Sequence, residues 1–183
     1  PPGAPDSGYG SAEHYISDTY TEYRMGSGSV GDQTWLYVPS TLKYGDRAPV
    51  VIFLHGFACL YPSLYRTHIA HLVQQGNIVI FPQFQQSTLG GFLQEAGLGQ
   101  VADQNIWAQR AVVSVDAALA TLGDQVQQDE IYLYGHSLGG LIGRGSGSTA
   151  KVLNTIGGVG LNAVFLKFSR DDEYEADQVG VQI

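Results

Sequence analysis

Polar and apolar residues alternate through "TYTEYRM" and again through "QTWLYVP" from Gln33 to Pro39. Alternation with period two predicts two antiparallel strands, with Gly26 to Gly31 as the turn between them. The pattern then changes. Val50 to Leu54 is a continuous apolar run, as expected of a parallel strand buried on both faces. Leu64 to Gln75 has helical spacing and Gly76 ends it. "NIVIFP", Asn77 to Pro82, is a second buried strand. Ser87 to Gly99 is glycine-rich and reads as a loop beside a site. A long helix follows to about Leu122, capped by Asp103, with Ala108, Ala111, Val115, Ala118 and Leu122 on one face and Gly123 just past its end. "EIYLYGHS", Glu130 to Ser137, supplies another buried strand. Apolar strands separated by helices predict an α/β fold, with a mainly parallel sheet and helices on both faces.

The last of these strands runs into Gly135-His136-Ser137-Leu138-Gly139, a G-x-S-x-G pattern. Its glycines suit a strand-to-helix turn too tight for side chains, which lifts a serine hydroxyl above the carboxyl edge of the sheet. Ser137 is the candidate nucleophile, and Gly135 and Gly139 are the elbow glycines. A helix N-terminus behind Ser137 favours developing negative charge. "FLHGF", Phe53 to Phe57, ends the earlier buried strand. The backbone N–H groups of Phe57 and Leu138 are the candidate oxyanion donors. A modest apolar acyl group is expected to sit against Phe57, Leu60, Tyr61 and the Ser87 to Gly99 segment.

Composition narrows the class. Of the 183 residues, 44% are hydrophobic and 14% charged, enough to bury a core and unlike a disordered chain. The net charge of −8 and the lack of a basic stripe argue against a nucleic-acid partner. Cys59 is the only cysteine, which rules out an intrachain disulfide and a cysteine-based zinc site and leaves the compartment open. No signal peptide is expected, and the start "PPGAPDSGYG" without methionine reads as a processed or excised end. Val152 to Leu166 is uncharged, but it is shorter than the roughly 20 residues of a spanning helix and contains Gly157, Gly158 and Gly160, so no stable membrane span is expected.

From about Tyr20 to Gly143 the chain resembles the α/β-hydrolase family, near its esterase, lipase and dienelactone-hydrolase-like members. "VVIFLHGF", "NIVIFPQF" and "IYLYGHSLGG" carry the resemblance. It implies hydrolysis of a small ester through an acyl-serine intermediate, with no cofactor, and Gly56, Phe57, Ser137 and Leu138 match its motif positions. The family order is Ser, then Asp or Glu, then His. Here the five histidines are His14, His55, His68, His71 and His136, and none follows Ser137. His136 reads as structural, His55 as orienting the oxyanion loop, and His68 and His71 as packing or surface residues. The general base and acid are therefore unassigned. The sheet also lacks the later strands, so the expected domain is an incomplete, hydrolase-like front half with weak turnover. Its last strand, Ile131 to Tyr134, is expected to leave an open edge and promote self-association.

The expected division is a flexible lead-in over 1–19, the hydrolase-like part over 20–143, and a linker with a mostly helical tail over 144–183. The tail, "FLKFSRDDEYEADQVGVQ", resembles the C-terminal E-x-x-x-D part of membrane-associated zinc metallopeptidases, with Glu173 and Asp177 matching. In that family the glutamate is a zinc ligand and the aspartate supports a histidine ligand. The H-E-x-x-H that would complete the set is absent, and one carboxylate cannot hold zinc, so no metal is expected. Two resemblances meeting near Arg144 to Ser148 suggest a chimera, a fusion scar or a misassembled reading frame. A metallopeptidase fragment and a non-catalytic hydrolase-like domain remain alternatives to the ester hydrolase.

Overall fold

The computed structural model describes residue 7 and residues 11–27, 31–95 and 104–144. Five strands within them form one sheet: β1 (Tyr20–Met25), β2 (Thr34–Pro39), β3 (Ala48–Leu54), β4 (Ile78–Pro82) and β5 (Val126–Gly135). Their order across the sheet is β1-β2-β4-β3-β5. β1 and β2 are antiparallel, with Tyr20 opposite Pro39 and Met25 opposite Thr34. β2 runs antiparallel to β4, and β3 is parallel to both β4 and β5. This is the mainly parallel sheet that the apolar runs predict.

α1 (Arg66–Gln74) links β3 to β4, and α3 (Gln104–Leu122) carries the chain back across β3 to β5. The two crossovers run in opposite directions, so right-handed connections put their helices on opposite faces. The core records this directly. Val51 and Phe53 of β3 pack with Ile69 and Val73 of α1. Val50, Ile52 and Leu54 pack with Ala108, Ala111, Val115 and Ala118 of α3. Alternate residues of one strand thus serve two cores, which is why the run Val50–Leu54 has no polar position.

Three expectations change in detail. The helix expected from Leu64 begins as a 3-10 turn over Pro62–Tyr65, and α1 proper starts at Arg66. Gly76, at φ +81°, ends it as expected. The segment from Ser87, read as a loop, contains a helix, α2 (Leu89–Glu95). Thr88 explains it. Its hydroxyl accepts the N–H of Gly91 and its carbonyl accepts the N–H of Phe92, a helix cap strong enough to carry Gly90 and Gly91. The Glu95 carboxylate then pairs with Arg110 and accepts the N–H of Gln86.

Residues 11–19, placed in the lead-in by composition, are tied to the end of α1. The N–H groups of Ile16 and Ser17 donate to the carbonyl of Gln74, and Ser11 and Ser17 are buried. The Asp103 cap, residues 96–100 and the whole of 145–183, with Glu173, Asp177 and Val152 to Leu166, lie outside the described residues. Among the described residues no helix is long and apolar enough to cross a membrane.

Candidate active site

β3 and β5 lie side by side, and the helices that follow them diverge. α1 covers one face of the sheet, while α4 (Leu138–Arg144) joins the α3 face through Leu138 and Ile142. The crevice at the carboxyl ends of β3 and β5 is therefore the switch point of the sheet, where open α/β folds bind ligands. Both sequence motifs end there.

At the end of β5, Ser137 adopts φ +50°, a left-handed conformation uncommon for a residue with a side chain. The turn is as tight as its glycines imply. A Cβ on Gly135 would lie 2.6 Å from the backbone nitrogen of Gly140, and one on Gly139 would lie 2.2 Å from the carbonyl oxygen of Leu54. The N–H of His136 donates to that same Leu54 carbonyl at 3.0 Å, which ties the elbow to the end of β3. Ser137 and His136 are exposed, while Leu138 and Gly139 are buried.

The loop after β3 is pinned on both sides of Phe57. The Gly56 N–H donates to the Tyr65 hydroxyl at 2.9 Å. The Ala58 N–H donates to Oε1 of the buried Gln85 at 3.0 Å, with Ala58 at φ +62°. Between them the N–H of Phe57 has no acceptor among the described residues. In the elbow, His136 and Gly139 donate their N–H groups, and the N–H groups of Ser137 and Leu138 between them have no acceptor among the described residues. Open donors in both loops, held between bonded residues, are an arrangement suited to an oxyanion.

The histidines divide by burial. His55 is fully buried, its ring stacked on Phe84 at 3.9 Å and 1°. Its Nδ1 donates to the carbonyl of Gly56 at 2.8 Å, which orients the loop. Burial pushes its pKa down to about 4, against the effect of the Gly56 hydrogen bond. A buried neutral ring with one nitrogen committed is a poor proton acceptor for an exposed serine. Nδ1 of His136 hydrogen-bonds the Tyr65 hydroxyl at 2.9 Å. His68 packs edge-on against Tyr134 and Phe53, and His71 hydrogen-bonds Tyr15 and Gln75.

The two residues read as pocket lining part company. Leu60 is buried in the protein. Tyr61 is half exposed and lines a cavity of about 330 Å³ with Trp35, Tyr37, Arg24 and Arg66; neither Phe57 nor Ser137 is part of its wall. Phe57 instead meets Phe92 of α2 at 5.6 Å and Trp107 of α3 at 6.4 Å. Phe57, Leu89 and Leu93 are exposed, so an apolar surface borders the oxyanion loop. Tyr65, Gln85 and Phe92 were not legible as site residues. Only the polar run "PQFQQ" after β4 hinted at a role, since polar side chains are unusual where a buried strand ends. Among the described residues no cluster of three histidine, cysteine or carboxylate side chains could hold a metal.

A family model described as Chlorophyllase matches residues 34–150. No curated protein matches the chain. Among solved structures the chain is similar to a dienelactone hydrolase from Anabaena variabilis, at 20% identity and a TM-score of 0.48, over 66% of this chain and 54% of that one. It is similar to the acylaminoacyl peptidase of Pyrococcus horikoshii at 18% identity and a TM-score of 0.49, over 67% of this chain and 20% of that one. An acetyl xylan esterase from Aspergillus awamori is 17% identical with a TM-score of 0.48, over 74% and 47% of the two chains. The chain spans about half, or less, of the length of these structures.

Proposed function

The chain belongs to the chlorophyllase family, a family of α/β-hydrolase type, and from that premise we propose that it is a serine-dependent hydrolase of carboxylic esters. Ser137 Oγ attacks the ester carbonyl, forming the O–C bond of an acyl-serine as the bond to the leaving alcohol breaks and the serine proton passes to that alcohol; water then cleaves the acyl-serine, releasing the acid and restoring the hydroxyl. Phe57 and Leu138 N–H groups hold the oxygen as it becomes negative. The observation that carries the reading is the pair of unbonded N–H groups beside a positive-φ serine at the carboxyl ends of adjacent strands.

The general base is unassigned. This sequence has no histidine after Ser137, and the two histidines beside the site are engaged elsewhere. A general base is worth about 10²–10⁴-fold. A formed hole with substrate binding still leaves on the order of 10³-fold over water. The family name points to chlorophyll, a lipophilic ester. The exposed apolar surface of Phe57, Leu89 and Leu93 supports an apolar ester as the substrate class.

The test compares initial rates of wild type and Ser137→Ala on p-nitrophenyl acetate. The expected outcome is a hydrolysis lost in the variant, with a fluorophosphonate attached at Ser137 by mass spectrometry. Equal rates and no labelling would favour the non-catalytic reading instead.

A further inference from the structure

Tyr65 stands where the 3-10 turn passes into α1, far in sequence from the elbow. Its hydroxyl nevertheless touches both halves of the site. The Gly56 N–H donates to it at 2.9 Å, and it lies 2.9 Å from Nδ1 of His136. The two loops meet directly at this point, since a Cβ on Gly56 would fall 2.6 Å from that same Nδ1. We infer that Tyr65 is a positioning residue: by accepting from Gly56 and hydrogen-bonding His136 Nδ1, its hydroxyl sets the spacing of the two loops so that the Phe57 and Leu138 N–H groups converge on one oxygen.

One of the two roles is fixed by chemistry. A backbone N–H can only donate, so the phenol oxygen accepts from Gly56; the Cys59 thiol also hydrogen-bonds the phenol, and the direction of the His136 bond follows the imidazole tautomer. Burial, with the Cys59 thiol and Tyr134 nearby, pushes the phenol pKa up to about 12, so the phenol proton is retained at neutral pH. The ring is held independently of the hydroxyl, by Phe53 at 4.9 Å and Phe81 at 5.8 Å. Tyr65→Phe therefore removes the bridge and keeps the packing. A displacement of about 1 Å in a reacting geometry costs on the order of 10²-fold.

The inference rests on the ester-hydrolase reading of Ser137, and the experiment separates the two. The full chain is treated with a fluorophosphonate, and both the rate constant and the final extent of labelling at Ser137 are followed. The expected result is that Tyr65→Phe labels about 10- to 100-fold more slowly but to the same extent. His136→Ala slows labelling too, and the double variant is no slower than the worse single, because one bridge is broken in each. Wild-type rates in Tyr65→Phe, or losses that multiply in the double variant, would overturn the inference and leave the ester-hydrolase reading standing. A reduced extent at unchanged rate, matching the unfolded fraction by circular dichroism, would make Tyr65 merely structural. Absence of labelling in wild type would overturn the reading of Ser137 and this inference with it.

Discussion

Among the described residues, Ser137 and Ala58 are the two non-glycine residues with positive φ, and each sits in one loop of the site. Such conformations cost about 1–2 kcal/mol each, so they persist only where neighbours hold them. Here the holders are identifiable: Gln85 for Ala58, and the Leu54 carbonyl packed against Gly139 for Ser137. His55 adds a pH-dependent component to the same scaffold. Its folded pKa of about 4 lies below the ordinary 6.5, so the unfolded chain takes up the proton first as pH falls. Its contribution to stability is complete above pH 6.5 and is lost as pH falls toward 4. At roughly 1.4 kcal/mol per pKa unit, the loss is about 3 kcal/mol. His55→Asn keeps a donor for the Gly56 carbonyl but does not titrate. Urea unfolding at pH 7 and pH 4.5 is expected to give the variant a smaller loss of stability than wild type. Identical losses would remove His55 from the account.

At the scale of elements, α2 is the piece that a sequence pattern conceals. Gly90 and Gly91 disguise it as a loop, and the interactions that hold it, the Thr88 cap and the Arg110 contact, come from just before it and from α3. The Glu95–Arg110 pair is largely buried, with Arg110 also donating to the Phe84 carbonyl. Arg110→Met is expected to cost about 2–3 kcal/mol, because it strands a carboxylate, and adding Glu95→Gln is expected to recover part of that loss. Chemical denaturation of the three variants checks the sign of the coupling. The strands were easier to read, because Val50–Leu54 and Ile78–Pro82 are buried on both faces and tolerate no polar residue. The elbow was legible for a related reason: backbone atoms surround Gly135 and Gly139, so sterics dictate the residue type. Tyr65 and Gln85 were not. Their roles depend on which distant backbone N–H they meet, and local spacing carries no trace of that.

At the scale of the molecule, the described sheet ends in β1 on one side and β5 on the other. Among the described residues β5 pairs on one side only, with β3. Its apolar residues Ile131 and Leu133 face the α3 core, and Tyr132 and Tyr134 the other face. An open strand edge recruits other chains. The net charge of −8 opposes that association and is screened by salt. Light scattering is expected to show a mass that rises with protein concentration, more steeply in 1 M salt, and less so in Tyr132→Lys. A constant monomer mass in both salts would mean that the edge is covered. The strand order also has a consequence in time. β3 meets β4 across the short crossover of α1, but it meets β5 only after α2 and α3 have been traversed. Closing the longer loop costs more entropy, and distant pairings form slowly. Of the described strands β5 is expected to dock last, and β5 carries Ser137 to the Phe57 loop. Among the described strands, the pairing that brings the two candidate loops together is therefore expected to form after the β3–β4 core.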